Sequence, residues 1–185
     1  HNSNSHTKKF LESFSHQTYK SYQIILVDDG STDNTALNNK KTYPKVKILS
    51  GNGSLWWTGG INLAISESMK STKAGDFILT INNDCVVDST YLEKIASTSS
   101  THQRSIVGSL EIEQATKRVH TGYLHVDWRK GIWLNQVKDV NVIKSCDHLS
   151  TKGTLFPVEV FQKIGLLDEV RLPHYGSDFE FTNRA

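Results

Sequence analysis

Four groups of residues in this chain have the types and spacing to do chemistry. Asp28 and Asp29 end one apolar run and lead into Gly30-Ser31-Thr32-Asp33, Asn82-Asn83-Asp84 end another, and Asp178 stands two residues before Glu180 and six before Arg184. A carboxylate so placed can bind a metal ion, accept a ligand's N–H or take a proton as general base. It can equally make an Asx turn or cap a helix. Both options stand for Asp84, the sole carboxylate of its triplet, and for Asp178, a general base or the N-cap of a last helix. Asp28 suits a loop anchor, and Asp33 with Ser31 suits a turn and helix cap. In a helix Asp178 and Glu180 point apart, so one alone serves as base, and Glu180 with Arg184 at i, i+4 makes a structural pair. In the fourth group Trp56 and Trp57 lie beside Gly53, Gly59 and Gly60, which let backbone approach a ligand. One Trp is read as core, the other as open to stacking. His174 could serve as a metal or phosphate ligand, but reads first as a loop histidine satisfied by a carbonyl.

The elements that must position these residues follow from periodicity. Phe10, Leu11 and Phe14 at helical spacing predict a surface helix over about residues 6–16. Residues 23–27 are β-branched and continuous, which predicts a strand covered on both faces, and the acidic cluster after them supplies turn formers and a helix cap. The pattern recurs with a strand over 46–49, a glycine-bearing loop over 51–60, a helix over 62–69, a strand over 77–81 and a helix near 89–97. Alternating strands and helices imply an α/β sheet, in which the carboxyl ends of parallel strands share one edge where ligands bind. Asp28, Asp29 and Asp84 would then face one crevice. Beyond residue 100 the segments 105–112, 118–126 and 142–149 read as strands without helices between them. Pro157 opens a helix closed by Gly165, and residues 179–185 read as the first turns of another.

Composition narrows the class. The 185 residues carry 21 Lys and Arg against 19 Asp and Glu, a net charge of +2, with no long basic run, so nucleic acid is not an expected partner. Seventeen aromatics (7 Phe, 6 Tyr, 4 Trp) fill a core without metal or disulfide staples. Cys85 and Cys146 lack C-x-x-C spacing and read as reduced, which points to a cytoplasmic protein. No apolar run approaches the roughly 20 residues that cross a bilayer. With no repeat or linker, residues 1–185 read as a single domain, a fragment truncated at both ends.

At this point the residues carry a family likeness. Val27-Asp28-Asp29-Gly30-Ser31-Thr32-Asp33-Asn34-Thr35 resembles the nucleotide-binding segment of family 2 glycosyltransferases of the GT-A fold, and Asn82-Asn83-Asp84 stands where that family has its D-x-D-like metal motif. The segments Trp56-Trp57-Thr58-Gly59-Gly60-Ile61-Asn62 and Pro173-His174-Tyr175-Gly176-Ser177-Asp178-Phe179-Glu180-Phe181 are similar to a bacterial branch of it. The resemblance implies an α/β GT-A fold, a mixed, mostly parallel sheet flanked by helices, with the family's first strand absent ahead of residue 1. It implies nucleotide contacts from Asp28, Asp29, Gly30, Trp57, Gly59, Asn62 and Asn83, Asp29 accepting the N–H of a uracil or thymine ring. It also implies metal contact from Asp84 and general-base chemistry from Asp178. The departures are Asn at two positions of the metal motif and Ser177 where the family commonly has an acid.

The implied activity is inverting transfer of a sugar from a UDP- or dTDP-sugar to a hydroxyl of a glycan or lipid-linked saccharide in polysaccharide biosynthesis, assisted by Mg²⁺ or Mn²⁺. The implied location is cytoplasmic, at the inner face of the membrane. Direct inversion needs one carboxylate to take the acceptor's proton and no covalent nucleophile, and a divalent ion neutralises a departing diphosphate. The rival from another class is a non-catalytic nucleotide- or glycan-binding domain of the same fold. A dinucleotide fingerprint fails because Gly53 is six residues before Gly59, and no Gly-Lys-Ser/Thr follows to make a P-loop.

Overall fold

The stripe of Phe10, Leu11 and Phe14 does form the inner face of a helix, α1 (Asn4–Ser15), in a computed structural model that describes residues 2–121, 123–134 and 140–185. There follow β1 (Ile25–Asp28), α2 (Thr35–Thr42), β2 (Lys47–Ser50), α3 (Trp56–Met69), β3 (Phe77–Thr80) and α4 (Tyr91–Thr101). The second half holds β4 (Val107–Gly108), β5 (Glu111–Ile112), β6 (Val119–Thr121), β7 (Tyr123–Asp127), β8 (Ile132–Leu134), β9 (His148–Leu149), β10 (Thr154–Pro157), α5 (Val158–Ile164) and α6 (Ser177–Arg184).

Helices cover the strands on two faces, as strand alternation requires. On one face Phe10, Leu11 and Phe14 pack with Val46, Leu92, Leu79 and Ile81. On the other, Ile65 of α3 and Ile78 of β3 pack with Phe156, Phe161 and Phe181, whose rings lie 5.3 to 5.7 Å apart. Neighbours Ile78 and Leu79 thus serve opposite cores. The α6 side of that core brings residue 178 into the fold, since Phe181 is completely buried.

The sheet is mixed. β1 pairs β2 in parallel, Ile25 opposite Lys47 through Asp28 opposite Ser50, while β10 runs antiparallel between β3 and β4. The pairs β5–β6, β7–β8 and β7–β9 are antiparallel too, so the parallel share is smaller than "mostly parallel". A continuous apolar run signals burial on both faces and does not report which way its neighbour points. β1 and β3 edge a cavity of about 690 Å³, roofed and floored by Phe10, Phe14, Ile61 and Ile65.

Three expectations need correction. Helix α3 begins at Trp56 and not near residue 62, so Trp57, Gly59 and Gly60 are helical and the loop is only 51–55. The strands expected over 105–112 and 142–149 shrink to β4, β5 and β9, and Gly122, inside the expected strand 118–126, lies outside the described residues. Pro157, read as opening a helix, is instead the last residue of β10, a strand the sequence pattern does not mark, and the N-cap of α5. Gly165 closes that helix at φ +79°, as expected. Both cysteines are free thiols. Among the described residues no helix is long and apolar enough to cross a membrane.

Candidate active site

The loop after β1 is held by its own acids. Asp28, 9% exposed, accepts the Ser31 N–H at 3.2 Å, and its carbonyl accepts from Gly30 and Gly51. Asp29 reaches across to the next loop: Oδ1 accepts the Gly53 N–H at 2.7 Å and Oδ2 the Leu55 N–H at 2.9 Å, just ahead of α3. A Cβ on Gly51 would stand 2.3 Å from Asp29 Oδ1, and one on Gly30, at φ +72°, would stand 2.9 Å from the Gly53 Cα. Both glycines are therefore required by loop-to-loop approach. Asp33 does not supply the N-cap of α2, which is Asn34 in the left-handed region. Its carboxylate instead accepts from Thr35 and, at 3.1 Å, from the Asn4 N–H at the start of α1.

Helix α3 carries three of the expected nucleotide contacts, and its side chains are already engaged. Asn62, 5% exposed, donates to the Leu167 carbonyl and to Glu169 Oε2 at 2.9 and 2.8 Å, and accepts the Leu167 N–H at 3.1 Å. It clamps the segment after α5. Trp57 packs against the core and donates Nε1–H to Asn82 Oδ1 at 3.1 Å. A Cβ on Gly59 would meet only ordinary contacts, the nearest at 3.4 Å. Trp56 turns outward, 63% exposed, at φ +55°.

The end of β3 offers a sparse donor set. Asn82 is engaged by Trp57, and Asn83 donates Nδ2–H to the Ser3 and Thr7 hydroxyls at 2.7 and 2.8 Å. Among the described residues no three His, Cys, Asp or Glu side chains gather around one point. Asp84 is left as the carboxylate, with the Cys85 thiol donating to its Oδ1 at 3.7 Å. That thiol keeps its proton: burial first, then the charges of Asp84 and Glu111, push it up to about 11. One carboxylate fits an octahedral ion such as Mg²⁺, which commonly takes one or two protein carboxylates and completes its shell with water and substrate phosphate.

Asp178 lies in the first turn of α6, whose N-cap is Gly176 at φ +82° with no side-chain cap bond, so Asp178 is not the N-cap. Its Oδ1 accepts the Phe179 N–H at 3.0 Å. Burial raises its carboxyl above the usual range, while backbone N–H groups of Phe179, Asp178 and Thr151 and the charge of Lys152 pull the other way. Lys152 sits between loops: it also acts on Cys85 and donates to both Glu111 oxygens at 3.3 and 3.4 Å. Glu180 does pair Arg184, at 2.8 Å, and Arg184 ties α6 to the Ile164 and Leu166 carbonyls. The link to α3 is Thr58, fully buried, which bonds Ser177 Oγ at 2.8 Å and the Leu172 and Pro173 backbone at 2.6 and 3.0 Å. Local sequence pattern did not mark Lys152 or Thr58, because both act across loops distant in the chain.

Known structures share the fold. S. aureus TarS 1-349 in complex with UDP superposes with a TM-score of 0.70 at 18% identity, over 98% of this chain and 51% of that one. GalNAc-T7 with UDP, GalNAc and Mn²⁺ gives 0.69 at 16%, over 96% and 37%. The mannosyltransferase PcManGT from Pyrobaculum calidifontis with GDP-Man and Mn²⁺ gives 0.65 at 12%, over 98% and 48%. At these identities the likeness shows the GT-A-like fold, and the chain spans about half the length of TarS 1-349. No curated protein matches the sequence. The model of the family described as glycosyl transferase family 2 matches residues 1–165, which takes in every element from α1 to α5 and both acidic strand ends. On that match the chain belongs to glycosyl transferase family 2.

Proposed function

We propose that this chain transfers a hexosyl or deoxyhexosyl group from a UDP- or dTDP-sugar to a hydroxyl of a glycan or lipid-linked saccharide, with inversion, on the cytoplasmic face of the membrane. The observation that carries the reading is the Asp178 carboxyl, half-buried and raised above the usual range, directly after Ser177, which is bonded to Thr58 of α3. A base so tuned takes a proton more readily than an exposed Asp. In the transfer, the acceptor O–H gives its proton to Asp178 as its oxygen bonds to the anomeric carbon. The bond from that carbon to the diphosphate breaks, and its electron pair leaves with the phosphate. Asp178 lies outside the family-matched residues 1–165, so its role rests on geometry.

Asp84, with Asn83 beside it, is the residue that would hold Mg²⁺ or Mn²⁺, and a bound ion supplies positive charge for the departing diphosphate. TarS was solved with UDP and GalNAc-T7 with UDP and Mn²⁺, which favours a uridine donor and a divalent ion here. The test is product stereochemistry: UDP- and dTDP-sugars are supplied with Mn²⁺ and an acceptor saccharide, and the new linkage is read by NMR coupling constants. An α-linked donor is expected to give a β linkage, with UDP or dTDP released. A retained anomeric configuration would overturn the assignment of Asp178 as sole base.

A further inference from the structure

Three aromatic side chains that the nucleotide and metal contacts do not use stand together where the start of α3 meets the loop before α6. Trp56 and His174 have ring centroids 5.7 Å apart, and His174 and Tyr175 4.2 Å apart, each pair tilted edge to face. Trp56 is 63% exposed and Tyr175 81%, so the rings present open faces and edges to solvent and not to the core. His174 was expected to be satisfied by a carbonyl, yet among the described residues no hydrogen bond uses its ring nitrogens, the Tyr175 hydroxyl or Trp56 Nε1.

The backbone holds Trp56 there. A bulky residue at φ +55° is a genuine outlier. Leu55 N–H on Asp29 fixes the chain just before it, and Thr58 fixes the chain just after it to Pro173. The result is that adjacent tryptophans diverge, Trp57 inward to Asn82 and Trp56 outward to His174. Strain kept at an exposed position points to a use for the side chain. The same staple carries the ledge to the base: Thr58 bonds Ser177, the neighbour of Asp178, and the Cα of Tyr175 is at most about 11 Å from that of Asp178 along three residues of chain.

We propose that Trp56, His174 and Tyr175 form a subsite for the pyranose ring of the acceptor saccharide, an inference that rests on the glycosyl-transfer reading above. A pyranose has an apolar face of C–H groups rimmed by hydroxyls. Aromatic faces accept the first, and the indole N–H, imidazole and phenol offer partners to the second. The acceptor and not the donor fits because the ledge adjoins the residue that takes the acceptor's proton, and because its open edge admits a saccharide chain of any length.

The test uses Trp56→Gly and Tyr175→Ala in the full-length protein. Glycine tolerates positive φ, so Trp56→Gly is expected to melt no lower than the parent while losing the ring. Saturation-transfer NMR is run with methyl glucoside, methyl galactoside, methyl rhamnoside and di-N-acetylchitobiose, alongside UDP, dTDP, UDP-glucose and dTDP-glucose with diamagnetic Mg²⁺. At least one saccharide should receive saturation at its ring C–H protons from the parent, and both variants should weaken it about tenfold or more without changing nucleotide affinity. Equal saccharide binding in parent and variants, or none in the parent, overturns the subsite. Variants that weaken a nucleotide-sugar but not the free nucleotide put the donor's sugar on the ledge and overturn the acceptor assignment. Failure of the parent to bind any nucleotide diphosphate strikes the transfer reading instead, and is seen separately.

Discussion

The loop edge behind β1 and the seam between α3 and α6 are made of the same residue types and use them in opposite ways. On the loop edge Asp28, Asp29 and Asn83 each hold backbone N–H or hydroxyl groups of a neighbouring segment, and Asn62 below them makes three bonds to the segment after α5. At the seam Asp178 is half-buried with its carboxyl raised, and Trp56, His174 and Tyr175 face solvent. A polar group whose partners are internal maintains shape, and its loss is felt as stability. A desolvated acid beside open aromatic rings is poised toward something outside the fold, and its loss is felt as activity.

The largest test of this contrast is Asp178→Asn. The amide keeps the side chain's shape and can still accept the Phe179 N–H, but it cannot take a proton at neutral pH. Transfer is expected to fall by roughly 10²-fold or more. Nucleotide affinity and melting temperature should hold, because a buried charge is removed and no packing is lost. Full turnover in this variant would move the base elsewhere, with Glu180 next in line, although its pairing with Arg184 argues against that.

Asn62→Ala should do the reverse. It orphans the buried Leu167 N–H and carbonyl and a Glu169 oxygen together, which costs about 2 to 3 kcal/mol and, for a domain of this size, several degrees of melting temperature. Calorimetry or a dye-based melt reads it directly. A fully stable variant with weakened nucleotide binding would return Asn62 to the ligand.

These two residues show where the sequence was legible. Apolar patterning marked α1, β1 and β3 correctly because burial on one or two faces is written locally in residue type, Phe10 and Phe14 on one stripe, Ile78 and Leu79 on alternate faces, while Pro157 and Gly165 marked α5. The acidic clusters were legible as strand ends, since each apolar run stops at polar turn formers, Asp28-Asp29 after β1 and Asn82-Asn83-Asp84 after β3. Which of them a ligand could reach was not, since that depends on bonds such as Asp29 to Leu55, 26 residues on, or Asn62 to Leu167, 105 residues on. Glycines misled in the same way: Gly59 and Gly60 have low helix propensity, yet they lie inside α3 because Thr58 and Leu55 are pinned from outside the helix.

Asp29→Asn is a smaller and sharper probe of the loop edge. The sequence suggested a base-binding acceptor whose loss weakens uridine donors far more than it lowers stability. With both oxygens on backbone N–H groups, an amide can keep only one of them, so a loss of about 1 to 2 kcal/mol in stability is expected alongside any change in nucleotide preference. Thermal melts and nucleotide titrations on the same samples decide the ratio. Unchanged stability with lost uridine preference would place Asp29 with the ligand and blur the contrast between the two regions.

The smallest effect is the pH dependence of Asp178, and its sign is fixed by the raised carboxyl. A carboxyl whose folded pKa lies above its unfolded one binds its proton more readily when folded, so it stabilises the fold at low pH and loses that contribution as pH rises through the folded value. Activity runs the other way, because only the carboxylate accepts a proton. The acid limb of kcat/KM should therefore lie above the usual carboxylate range, over the same interval in which the stability contribution fades. Lys152 sharpens the test. Its charge opposes the rise, so Lys152→Met should move the limb to still higher pH while Lys152→Arg leaves it near the parent's. A limb at the ordinary aspartate value in all three proteins would mean that the carboxylate governing the rate is solvent-exposed, and the seam would then lose its claim to the chemistry.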